Sequence, residues 1–136
     1  MVFYCGGRDI SAGAIHDILQ VYQEKNNLSR LSIEYANVQN RGVDVLVNTL
    51  RSCTNLKTIR LFRCGITDEQ LLQIVEAIRG HRIMLKVLSL PENSIGNVGC
   101  GAIATLLEDP NCNIHTLTLA DNNVIKRLDH PTNMES

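Results

Sequence analysis

Apolar and polar residues alternate in two ways along the chain, and the two ways take turns. Short runs such as Leu31-Ser32-Ile33 alternate with a period of two, which puts the aliphatic side chains on one face of a strand. Longer stretches such as 68–79 carry Leu71, Leu72, Ile74, Val75 and Ile78 at helical spacing, which predicts an amphipathic helix after the strand.

The alternation has a fixed period. Aligned on Leu28, Leu56, Leu85 and Ile114, the chain advances in steps of 28, 29 and 29 residues. The four segments that follow are LSRLSIEYANV, LKTIRLFRCGI, LKVLSLPENSI and IHTLTLADNNV. Each fits L-x-x-L-x-L-x-x-(N/C/A)-x-(I/V) without a gap. The helical halves repeat as well, with apolar pairs at Leu46 and Leu50, Ile74 and Ile78, and Ile103 and Leu107. Carried backward, the period puts Phe3 and Cys5 on a strand, Ile10 after its turn, and Ile18 and Tyr22 on a helix.

One strand and one helix cannot bury an apolar face alone. Stacked units can, with a parallel sheet on one side of a continuous core and helices on the other. The expected organisation is a single α/β domain over 1–125, followed by a polar tail over 126–136. It comprises a partial repeat 1–27, full repeats 28–55, 56–84 and 85–113, and a partial repeat 114–125. Met1 and the tail point to a complete short chain, and the tail is a candidate cap for the last strand.

These residues resemble the ribonuclease-inhibitor-like class of leucine-rich repeats over positions 1 to 125. Ribonuclease inhibitor, NOD-like receptors, the Ran GTPase activator and tropomodulin carry such repeats. The resemblance implies a solenoid bent into a short horseshoe, with the sheet concave and the helices convex. It also implies that an Asn or Cys at the turn bonds the neighbouring turns. Cys64, Asn93 and Asn122 fit that position, whereas Ala36 and Arg8 do not, so the ladder is expected to break toward the N-terminal end. The outer strands, around 2–5 and 116–119, are expected to present open edges.

Residues between the strand anchors point away from the core and should form columns on the sheet. One column reads Tyr4, Ser32, Arg60, Ser89, Thr118, beside Val2, Arg30, Thr58, Val87, Thr116. Next come Gly6, Glu34, Phe62, Pro91, Ala120, and then Gly7, Tyr35, Arg63, Glu92, Asp121. Nothing in the repeat demands an aromatic ring at Phe62. Tyr and Arg are favoured at binding hot spots, so Tyr4, Tyr35, Arg60, Phe62 and Arg63 form the candidate centre of a protein-binding face. Arg30, Glu34, Glu92 and Asp121 complete it, and the later acidic residues make the surface change sign along the solenoid.

Composition narrows the alternatives. Apolar residues make up 44% and charged residues 20% of the 136, as in ordinary globular domains. The formal net charge of −1 offers no general attraction to nucleic acid or to an anionic membrane. No apolar window reaches the roughly 18 residues of a membrane span. The start lacks the pattern of a secretory signal. Five cysteines without paired spacing suggest reduced thiols and a cytoplasmic setting. Asn27-Leu28-Ser29 has the form of a glycosylation sequon, but Leu28 is a core anchor.

Catalysis has little to rest on. His16, His81, His115 and His130 occupy unmatched repeat positions, and no cysteine has a nearby His, so no metal site, cofactor or catalytic cluster is expected. Gly42 and Gly99 share one repeat position, which points to packing. The sequence therefore predicts a non-enzymatic module that binds a protein partner through the sheet. A self-assembling subunit, dimerising through its terminal strands, is the second expectation. GTPase activation, implied only by resemblance to the Ran activator, is a distant third.

Overall fold

In a computed structural model of the chain, residues 2–6, 17, 20, 28–80 and 84–123 are described. Strand β1 (Val2–Gly6) is followed by β2 (Arg30–Glu34) and helix α1 (Gln39–Ser52), then β3 (Thr58–Phe62) and α2 (Asp68–Gly80). Strand β4 (Val87–Ser89), helix α3 (Asn97–Glu108) and β5 (Thr116–Thr118) complete the order. The strands form one parallel sheet in sequence order β1-β2-β3-β4-β5. Among the described residues, β1 and β5 lie outermost.

The register is that of the repeat. Phe3 pairs with Leu31, Leu31 with Ile59, Ile59 with Leu88 and Leu88 with Leu117. Strand anchors Leu31, Ile33, Ile59, Leu61, Leu88 and Leu90 are buried, and Leu46, Leu50, Leu71, Ile74, Ile103 and Leu106 meet them from the helices. Each such side chain contributes roughly 1.5–3 kcal/mol by leaving water. Strand β4 ends at Ser89, two residues before Pro91, which has no N–H to give a ladder. Ile10, Ile18, Tyr22 and Arg8 lie outside the described residues.

Sequence explains where the helices start. Thr67 and Gln70 exchange hydrogen bonds at the head of α2: the Thr67 amide donates to Gln70 Oε1 at 3.1 Å, and the Gln70 amide to Thr67 Oγ1 at 3.4 Å. Asp68 reaches across the repeat boundary, where its Oδ1 accepts from the Gly96 amide at 2.7 Å, just before α3. Gly99 is a packing position: a Cβ there would lie 2.5 Å from Asp68 Oδ1 and 2.7 Å from Ile95 Cγ2.

Two helical expectations need correction. Leu107, aligned with buried Ile78, is 43% exposed, and Leu106 takes the inward place beside Ile103. Helix α2 packs against both α1 and α3, whereas α3 packs against α2 alone among the described residues. A helix flanked on one side leaves such a position open. Leu72 is likewise 39% exposed, because Leu71 and Val75 fill the inward stripe of α2.

The turn ladder follows the sequence. Asn93 Oδ1 accepts from the Cys64 and Ile66 amides at 2.9 and 3.0 Å, and Nδ2 donates to the Leu61 and Pro91 carbonyls at 2.7 and 3.2 Å. Asn122 repeats the pattern one unit later, accepting from the amides of Asn93 and Ile95 and donating to the Leu90 carbonyl. Cys64 does less, its Sγ lying 3.3 Å from the Ile33 carbonyl. At Ala36, sealed in the core, the side chain is a methyl and the ladder stops.

Candidate functional site

Strands β2 and β3 carry the centre of the predicted face, and the chain immediately after each carries the rest. Tyr35, Arg63, Glu92 and Asp121 are not sheet residues. They stand at the corner beyond the strands with φ of 59°, 55°, 55° and 58°. This left-handed backbone breaks the strict alternation of a strand. Two consecutive residues, Glu34-Tyr35 or Phe62-Arg63, therefore both reach solvent. The predicted column exists, but as a row of corners along one edge of the sheet.

Six of the predicted residues form one continuous chain of contacts. Arg60 Nη1 lies 2.7 Å from Glu34 Oε2, and its guanidinium carbon sits 5.0 Å from the centre of the Phe62 ring. Phe62 meets Tyr35 edge to face, with ring centres 4.9 Å apart and planes at 65°. Arg63 lies over Tyr35 at 5.8 Å and reaches Glu92 at 3.9 Å. Edge-to-face rings and cations over rings each contribute roughly 0.5–1.5 kcal/mol. The layering holds Arg60, Phe62 and Tyr35 against one another, with Arg63 at its outer end.

Charge is unevenly available within the group. Arg60 is committed to Glu34, both half-buried, whereas the Arg63 side chain is 62% exposed and its contact with Glu92 is long. Tyr35 is 37% exposed. Arg30 is exposed at the start of β2, at the other end of the strand from the cluster, and Asp121 is exposed two repeats beyond Arg63. Tyr4 occupies the β1 position paired with Ser32, and its side chain lies outside the described residues. The structure thus gathers Glu34, Tyr35, Arg60, Phe62, Arg63 and Glu92, and leaves Arg30 and Asp121 apart.

Asn37 and Gly65 were not anticipated. Together with Tyr35, Arg63 and Cys64 they line an open depression beside the aromatic pair. Gly65 has φ of 71°, and a glycine directly after the ladder cysteine was the available signal. A second, narrower cavity of about 110 Å³ lies away from the cluster, between Ile78, Leu85, Leu106 and Cys112, beside the Arg79–Asp109 pair at 3.6 Å.

Cys53 and Cys64 are buried, and Cys100 and Cys112 are half-buried. Burial pushes the Cys53 thiol pKa up despite a backbone hydrogen bond from Leu28. Burial raises that of Cys100 too, with the Asp68 carboxylate adding to it. Both shifts disfavour the reactive thiolate. His115 is exposed, with Nδ1 3.0 Å from Thr116 Oγ1. His16, His81, His130 and the Cys5 side chain lie outside the described residues. Among the described residues, no group of three His, Cys, Asp or Glu could hold a metal ion.

The repeat is found in known proteins. The family model described as a leucine-rich repeat matches residues 52–69 and 81–104. The ribonuclease inhibitor of Mus musculus is 26% identical over 117 residues, which cover 85% of this chain and 25% of that protein. The chain thus spans about a quarter of the length of the relative it matches. With one period in its sequence and its parallel strands, the chain carries leucine-rich repeats and is similar to the ribonuclease-inhibitor-like class.

Proposed function

We propose that this chain binds a protein partner through the open face of its sheet, with Tyr35, Arg60, Phe62 and Arg63 at the centre of the contact. Leucine-rich-repeat proteins generally act in protein–protein interaction, and that general role supports the reading. The observation that carries it is the layered Arg60–Phe62–Tyr35–Arg63 stack, which lies outside the core and is pre-ordered. Ordering long side chains on binding costs about 0.5–1.5 kcal/mol each, and a stack already formed avoids much of that cost.

Arg30, Glu34, Glu92 and Asp121 would form the polar surround, with Tyr4 on the neighbouring strand. The role is non-catalytic and the setting cytoplasmic in this reading, with no cofactor and no nucleic-acid or membrane ligand. Among the described residues, no helix is long and apolar enough to cross a membrane.

The test is affinity capture from a eukaryotic lysate with the wild type and a Phe62→Asp, Arg63→Glu double variant of confirmed fold. A protein retained by the wild type alone supports the face. Equal recovery by both moves the site to the helices or the terminal strands.

A second reading has one observation behind it. Leu117 on β5 and Leu119 just after it are half-buried, where Leu88 and Leu90 are sealed. Homodimerisation through a terminal strand would cover them. Sedimentation that stays monomeric at high concentration would sink that reading.

A further inference from the structure

The two edges of the sheet carry opposite charge. Just before and at the start of strands β2 to β5, positions 29, 57, 86 and 115 hold Ser, Lys, Lys and His, and positions 30, 58, 87 and 116 hold Arg, Thr, Val and Thr. These eight places contain three fixed cations and no carboxylate. At the far ends, Glu34, Glu92 and Asp121 outnumber Arg63.

Lys57 and Lys86 stand in line with Ser29 and His115, and Arg30 lies one residue further along β2, in register with Thr58. The Lys57 amide donates to the Ser29 carbonyl at 2.8 Å, Lys86 to Lys57 at 2.8 Å and His115 to Lys86 at 3.0 Å. Their Cα atoms therefore follow the inter-strand pitch of about 4.8 Å. Arg30, Lys57, Lys86 and His115 are all exposed. The ion pairs Arg60–Glu34, Arg63–Glu92 and Arg79–Asp109 do not use this row. Like charges placed side by side on neighbouring strands oppose sheet formation, so the row is a cost that folding alone does not explain.

The opposing edges do not cancel. A five-residue strand separates them by roughly 13 Å, more than the screening length of about 8 Å at physiological salt. We propose that the row of strand starts, Arg30, Lys57 and Lys86, is a second contact surface that takes an extended acidic segment of a protein partner lying across the strands.

The row is short and narrow, and Glu92 and Asp121 stand beyond it on the same face. A single line of carboxylates fits that strip, and the flexible lysine stems absorb the mismatch between peptide and strand spacing. A wide polyanion such as a duplex would also meet the acidic edge. This inference is independent of the role given to Phe62.

A labelled oligoglutamate long enough to cross four strands is the probe, read by fluorescence anisotropy at low salt. The wild type is expected to bind it, and Lys57→Glu with Lys86→Glu to weaken it by about tenfold or more. Arg41→Glu with Arg51→Glu, the same change of net charge on exposed positions of α1, is expected to stay within about twofold of wild type. Phe62→Asp should also retain the probe, which separates this contact from the aromatic one. Lys57→Gln with Lys86→Gln repeats the test should the charge reversal disturb folding. Failure of the wild type to bind, equal loss in both charge-reversed pairs, or tighter binding of oligothymidylate would overturn the proposal.

Discussion

Replacing Asn93 with Ala removes the side chain that ties two repeats together, and the structure sets the size of the effect. Asn93 is 6% exposed and makes four hydrogen bonds, all to backbone groups. A net value near 1 kcal/mol for each gives about 4 kcal/mol. Side-chain entropy regained on unfolding is no longer lost in the variant, which offsets roughly 0.5–1 kcal/mol. The expected cost is therefore about 3 kcal/mol, a large share of the roughly 5–15 kcal/mol that holds a domain folded. Asn122 makes five hydrogen bonds, yet water reaches it. Solvent can replace what is removed there, so Asn122→Ala should cost only about 1–2 kcal/mol. Urea unfolding of the two variants beside the wild type measures both. The ranking runs against the number of bonds and with burial. If Asn122→Ala costs as much as Asn93→Ala, or if Asn93→Ala costs less than about 1 kcal/mol at unchanged slope, the burial argument fails.

Other predictions follow from the same interior. Cys64→Asn should raise stability by about 1 kcal/mol, because an amide there can serve the Ala36 amide and the Ile33 carbonyl much as Asn93 serves the next turn; a lower urea midpoint would refute it. Gly99→Ala should lose about 1–3 kcal/mol against Asp68 and Ile95, whereas Gly101→Ala, with nothing within 4 Å, should gain about 0.5–1 kcal/mol, both read by thermal unfolding. The raised pKa of Cys53 makes its stabilising contribution complete below about pH 8.5 and lost as pH rises through the folded value. Alkaline unfolding should accordingly be delayed in Cys53→Ala relative to its own neutral stability, and an unchanged pH profile would contradict the shift.

The period alone was enough to place the strands in register, because every repeat buries the same leucine-type positions. Leu31, Ile59 and Leu88 align in the sheet as they align in the sequence. The ladder residues were legible from the family resemblance, down to the gap at Ala36. Burial at Leu107 was not, since it depends on whether another helix lies alongside. The left-handed corners were hidden too. Gly, Asn or Asp would have signalled them, and of the four only Asp121 is such a residue. Candidate residues could be put on a common face from sequence, but not joined. The link from Glu34 through Arg60, Phe62, Tyr35 and Arg63 to Glu92 depends on side-chain torsions that no spacing encodes. The cationic row escaped notice because Lys57 and Lys86 sit just ahead of the strands, outside the alternating columns.

The four corners hold a phenol, a guanidinium and two carboxylates on nearly the same backbone, with φ between 55° and 59°. The fold thus accepts chemically unrelated groups at one geometric position, at a backbone cost of roughly 1–2 kcal/mol for Tyr35, Arg63 and Glu92 and less for Asp121. That makes the corner row a margin on which specificity can be rewritten while the grammar of the repeat stays intact. A combinatorial library randomised at 35, 63, 92 and 121 would vary the edge of the surface without altering any core leucine. Its members should differ far more in what they capture than in how firmly they fold.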